Sequence, residues 1–173
     1  MQNFMETGIV GLPAPQLERI QWVDENGNER NPVTLEELGR GFKILYFFQD
    51  WCAGCHRHGF PTFATLAEEL GDKDVGLAAI QTVFEGAEVN TFVRLRENQR
   101  RYGLRVPFGH AIADPADTVP AIMSAYRAGG TPWFVVIAPD GRVVYDGFLL
   151  VADGLIEALR PLTPRRDRER GAE

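Results

Sequence analysis

The segment Lys43-Ile44-Leu45-Tyr46-Phe47-Phe48 is an almost unbroken apolar and aromatic run of strand length. Such a run predicts a strand buried on both faces of a sheet, where no solvent face calls for alternating polar residues. From Cys55 to Leu70 the spacing becomes helical: Phe60, Phe63, Leu66, Ala67 and Leu70 share one side, with Glu68 and Glu69 on the other. Val75 to Val83 predicts a second buried strand. Glu88 to Tyr102 follows as an amphipathic helix, with Phe92, Leu95 and Gln99 along one face and several arginines elsewhere. Strand, helix, strand, helix implies a parallel sheet with crossover connections.

The flanks are shorter and punctuated by turn residues. Ile20 to Val23 breaks at Glu25-Asn26-Gly27-Asn28, which predicts an N-terminal β-hairpin. Thr34 followed by Glu37 is a capping-box pattern that starts a short helical turn ending near Gly39 and Gly41. Phe108 to Ala113 reads as a short strand and Val119 to Tyr126 as a short helix. Gly129-Gly130-Thr131-Pro132 interrupts the chain before a strand from Trp133 to Ala138. Pro139-Asp140-Gly141 then turns it into Arg142 to Phe148, so the last two strands are antiparallel. A closing helix spans Asp153 to Arg160. These elements make one domain over residues 1–160, with 161–173 as a mobile charged tail.

Composition narrows the class further. The chain is 45% hydrophobic and 24% charged, which fits a water-soluble globular protein rather than a disordered or membrane protein. The first fifteen residues have neither a basic stretch nor a long apolar run, so a cytoplasmic location is expected, with export only if a leader has been removed. Net charge is −6 at pH 7, and the basic cluster Arg165, Arg166, Arg168 and Arg170 is interleaved with Asp167 and Glu169. Neither nucleic acid nor a membrane is an expected partner.

The chain has only two cysteines, Cys52 and Cys55. A lone close pair points to redox chemistry, haem attachment or half of a metal site. Trp51-Cys52-Ala53-Gly54-Cys55-His56 matches both the CxxC and the CxxCH pattern. Against haem, the motif follows a buried strand in an alternating β/α chain. Against zinc, two further ligands are needed, and His56, His58 and His110 form no second compact pair. The remaining alternative, two inert core thiols, fits poorly with Trp and Gly at a strand-to-helix junction. In the redox reading Cys52 sits at the first turn of a helix, where unpaired N–H groups and the helix dipole stabilise a thiolate. Cys55, one turn in, then resolves the mixed disulfide.

Together, WCAGC after an apolar strand, GGTPW before the next hairpin and the Asp-Gly turn after it resemble the thioredoxin superfamily. The closest resemblance within it is to the TlpA-type thiol–disulfide oxidoreductases and related AhpC-TSA-like redoxins, and it covers roughly residues 12 to 160 in element order. It implies an α/β thioredoxin-like fold, a central mixed β-sheet flanked by helices, here with the N-terminal hairpin as an extension. It also implies that Pro132 is a cis-proline beside the cysteines and that the backbone of Thr131 pairs with a substrate chain. Trp51 and Trp133 flank the two halves of this site and either form the apolar surface on which a protein substrate lands or are ordinary core or rim packing.

The chain departs from the family in three places. Tyr46 stands where thioredoxins proper keep a buried acid, so proton transfer to Cys55 cannot use that route. His58 stands where many TlpA-type proteins have a glutamate, and is the candidate for proton transfer. Pro61 lies one residue later than the usual helix-kink proline, so the helix start is shifted or wound differently. The implied function is reduction, or less readily formation, of disulfides in a protein or small thiol substrate, with an external dithiol reductant as second partner. No cofactor and no metal are expected. The alternatives are a peroxiredoxin-like peroxidase, although Gln49 replaces the usual Thr or Ser, and a redox sensor or binding module without turnover. Glu85, His56 and His110 receive no role.

Overall fold

The computed structural model describes residues 6–164. Its strands are β1 (Gln21–Val23), β2 (Glu29–Arg30), β3 (Phe42–Phe48), β4 (Val75–Val83), β5 (Phe108–Ile112), β6 (Trp133–Ile137) and β7 (Val143–Gly147). Its helices are α1 (Phe60–Leu70), α2 (Phe92–Arg101), α3 (Ala121–Ala125) and α4 (Ala152–Leu159). The strands form a seven-stranded mixed sheet in the order β2-β1-β5-β4-β3-β6-β7. β3, β4 and β5 run parallel, while β6 pairs antiparallel with β3 and β7. The fold is the thioredoxin-like one, with the expected hairpin β1–β2 added beside β5.

β3 is central because its residues can be buried on both sides. Ile44, Tyr46 and Phe48 join the core beneath α1, α2 and α4. Leu45 and Phe47 point into a second core with α3 and the segment from Ile9 to Leu38. The alternation of side chains along a strand thus divides one apolar run between two layers. The N-terminal segment also covers the outer edge of β7: Gly11 N–H donates to Val143 O at 2.8 Å, and Ile9 N–H to Asp146 Oδ2 at 2.6 Å. An edge covered in this way cannot recruit a further strand.

Several boundaries differ from the sequence pattern. The predicted helix from Cys55 begins instead with a π-helical turn over Cys55–Gly59. Phe60 N–H donates to Cys55 O, and Pro61, which has no N–H, sits in the first turn of α1. The wider turn takes up one extra residue, which accounts for the late proline. α2 starts at Phe92 rather than Glu88, because Thr91 caps it by accepting from Arg94 N–H at 3.2 Å. Thr34 and Glu37 do form the reciprocal capping box, with side chain to N–H distances of 3.1 and 3.2 Å, but they close only a turn. Residues 160–162 continue as a 3-10 turn and Thr163 is buried, so the packed chain runs past residue 160. The rest of the expected tail, residues 165–173, lies outside the described residues. Among the described residues, no helix is long and apolar enough to cross a membrane.

Candidate active site

The two cysteines lie where β3 ends and the π-helical turn begins. Both are free thiols. Cys55 is fully buried and Cys52 is 7% exposed. Cys55 N–H donates to Cys52 Sγ at 3.2 Å, and the Cys52 thiol lies 3.5 Å from the carbonyl of Thr131. As a thiol, Cys52 can donate to that carbonyl. As a thiolate it accepts instead, from the Cys55 thiol and from the backbone N–H groups of Cys55 and Gly54. Those donors hold its pKa at about 6, the Cys55 thiol contributing most. Burial pushes the Cys55 thiol far upward, and its bond to Cys52 adds to the shift. The two sulfurs therefore titrate as a pair in which Cys52 ionises first.

The Thr131–Pro132 peptide bond is cis. Pro132 lies close against the motif, since a Cβ added to Gly54 would stand 3.4 Å from Pro132 Cδ. Cys52, Cys55, Thr131 and Pro132 are thus brought together from two distant stretches of sequence. Trp51 is 48% exposed, with its indole against Gly86. Trp133 does not line the surface as expected: it is 3% exposed, because its side chain points into the core beneath α3. Phe148 packs edge-on against it at 4.9 Å and is the half-exposed ring at that place. His58 is exposed, and among the described residues no hydrogen bond joins it to either cysteine.

The structure adds a network that the motifs did not reveal, centred on Asp50. Asp50 N–H donates to Asn90 Oδ1 at 2.6 Å, and its carboxylate accepts from Asn98 Nδ2 at 2.9 Å. Its carbonyl lies 2.5 Å from His56 Nε2, whose other ring nitrogen lies 2.6 Å from the Tyr102 hydroxyl. A carbonyl can only accept, so the His56 proton is on Nε2, and in the neutral ring Nδ1 accepts from Tyr102. Asn90 also donates to the carbonyls of Glu85 and Gly86 at 3.0 and 3.1 Å. Asn90 and Asn98 are both almost wholly buried. They tie Asp50, two residues before Cys52, through its carboxylate to α2 and through its N–H to the loop after β4. The sequence did carry one signal, a polar Asn98 beside Leu95 and Gln99 on the inward face of an amphipathic helix.

Tyr46 occupies the position of the family's buried acid and acts as a donor. Its hydroxyl donates to Cys55 O at 3.1 Å, and burial raises its pKa well above the ordinary phenol range. His110 stands apart from the cysteines and accepts from Gln81 Nε2 at 3.0 Å. Glu85 is exposed in the loop after β4. A cleft of about 770 Å³ is lined by Val75 and Pro107 at the N-terminal ends of β4 and β5 and extends to Tyr102. Among the described residues, no group of His, Cys, Asp and Glu side chains could hold a metal ion.

No family model and no curated protein matches the chain. Solved structures do. A thioredoxin-like superfamily protein is similar at 27% identity and a TM-score of 0.74, over 88% of this chain and 96% of that one. A thiol-disulfide isomerase from Corynebacterium glutamicum is 26% identical with a TM-score of 0.70, over 84% and 93% of the two chains. A thio-disulfide isomerase from Thermus thermophilus, 24% identical with a TM-score of 0.59 over 89% and 94%, shares the fold. With this fold, these neighbours and a dithiol beside a cis-proline, the chain belongs to the thioredoxin superfamily.

Proposed function

We propose that this protein is a thiol–disulfide oxidoreductase in which Cys52 is the nucleophile and Cys55 the resolving thiol. The pairing of a donor-stabilised Cys52 sulfur with a buried, protonated Cys55 carries the reading. The Cys52 thiolate attacks one sulfur of a substrate disulfide, forming a mixed disulfide and expelling the other sulfur as a thiolate, which takes up a proton from solvent. Cys55 loses its proton and attacks Cys52 Sγ. The Cys52–Cys55 disulfide forms, the substrate's second sulfur leaves as a thiol, and two electrons have passed to the substrate. An external dithiol reductant returns the protein to its starting state.

A disulfide-bearing protein or small thiol compound is the substrate class, and reduction is the favoured direction. In this reading Thr131 and Pro132 present backbone to the substrate beside Cys52, and exposed Trp51 forms the adjoining apolar rim. The names of the similar structures, thiol-disulfide isomerases among them, support the same chemistry. The test is reduction of insulin by dithiothreitol with wild type, Cys52→Ser and Cys55→Ser. Acceleration by wild type and its loss in Cys52→Ser is the expected result. A wild-type rate equal to the uncatalysed one overturns the proposal.

A further inference from the structure

The chain as a whole is acidic, with net charge −6, but residues 92–105 carry five arginines and one glutamate. The fold brings this basic stretch alongside the redox loop. Arg94 Nε lies 3.7 Å from the Asp50 carboxylate. The Arg101 guanidinium stands 5.3 Å from the centre of the Tyr102 ring, and Tyr102 in turn contacts His56. Arg57, next to His56, is exposed, as are Arg100 and Arg101. Arg94 is shared between Asp50 and Glu97, and Arg96 lies 3.9 Å from Glu29. Arg57, Arg100 and Arg101 have no ion pair among the described residues. The loop after β4, where Gly86 meets the Trp51 indole, exposes Glu85 and Glu88. The face where Tyr102 of the α2 end meets His56 is thus bordered by exposed arginines, while the loop after β4 carries exposed carboxylates.

We infer that the α2 side of the redox site, with Arg57, Arg100 and Arg101, is a docking surface for an acidic segment of the disulfide-bearing partner protein. The inference rests on the proposed exchange chemistry and adds the charge of the substrate to it. Three exposed guanidinium groups without carboxylate partners favour an anionic chain by charge complementarity. Their field acts mainly on encounter and orientation, and salt weakens it. The acidic residues of the partner lie on the α2 side of its cystine, and the loop carrying Glu85 and Glu88 repels the opposite orientation.

The test compares two cystine-bridged peptides of the same length, one flanked by Asp and Glu and the other by Lys. Their kcat/KM values are measured with dithiothreitol as reductant, for wild type and for the double variant Arg57→Glu/Arg101→Glu. Because each protein is read as a ratio between peptides, a general loss of activity cancels. Wild type is expected to prefer the acidic peptide by about tenfold at low ionic strength, and the preference is expected to invert in the variant. It should vanish toward about 1 M salt, where the screening length is about 3 Å. A wild-type ratio near one, or a ratio unchanged by the variant, overturns the inference. If neither peptide is reduced, the exchange reading fails separately, and peptide binding measured by titration calorimetry decides the surface. Acidic-peptide binding that the variant loses then upholds it, and no binding, or equal binding by both proteins, overturns it.

Discussion

Tyr46 and Cys55 are joined by a hydrogen bond from the tyrosine hydroxyl to the cysteine carbonyl, at 3.1 Å. That carbonyl also accepts from Phe60 N–H across the π-helical turn. The same hydroxyl leaves no room for a side chain at residue 59, since a Cβ on Gly59 would stand 2.2 Å from it. Tyr46, Gly59 and the unusual turn are therefore one arrangement.

Two substitutions test that arrangement. Tyr46→Phe keeps the ring contacts with Phe48, Phe60, Phe63 and Phe134 and removes one buried hydrogen bond. It should cost about 1 kcal/mol, because Phe60 N–H still satisfies the carbonyl. Gly59→Ala should cost more, about 1–3 kcal/mol, because a buried backbone or ring must move. Denaturant midpoints measure both, and a Gly59→Ala protein as stable as wild type would contradict the packing.

The pH dependence of the dithiol has a defined sign. Cys52 is lowered from an ordinary 9.0 to about 6, so its thiolate absorbance should titrate with a midpoint near pH 6. Cys55→Ala removes the largest stabilising donor and should move that midpoint upward. A depressed acid contributes stability that is fully present above the unfolded pKa and lost as pH falls through the folded one. The Cys52 contribution to the reduced protein should thus decline between pH 9 and about pH 6.

His110 titrates in the opposite chemical sense with a similar outcome. Burial lowers its pKa from 6.5, and it accepts from Gln81, whose amide is also committed to Thr91 O at 3.0 Å. A histidine held neutral costs nothing above pH 6.5, where the unfolded form is neutral too. Stability falls as pH drops below 6.5 toward the folded pKa, since only the unfolded chain gains the proton. Unfolding free energies measured down to about pH 5 should show this slope, reduced in His110→Gln.

Asn90→Ala probes the network behind the nucleophile. The change strips the partner from Asp50 N–H and a donor from Glu85 O, while Gly86 O keeps the backbone N–H groups of Val89 and Asn90. Each buried group left unpaired costs about 1–3 kcal/mol. If the network positions Cys52, its thiolate midpoint should rise as well, because the donors at Gly54 and Cys55 no longer meet the sulfur in register. A lower melting temperature with an unchanged midpoint would assign Asn90 a purely structural part.

Much of this protein is legible in the order of its residues. Runs such as Lys43 to Phe48, the spacing of Phe60, Phe63 and Leu66, and the turn signals at Asn26-Gly27 and Asp140-Gly141 report local preferences and burial, and these specify elements and their order. WCAGC and GGTPW, read as a resemblance, located the candidate site. The rest depends on distances between residues far apart in sequence. Asp50 meets Asn90 and Asn98, and His56 meets Tyr102, only because α2 is laid over the end of β3. Burial likewise placed Trp133 inside and His58 outside, although both lie near motif residues. Sequence patterns encode what each segment favours by itself. Hydrogen-bond partners, side-chain exposure and the charge around Cys52 arise from how the segments pack, and so only the tertiary structure decided them.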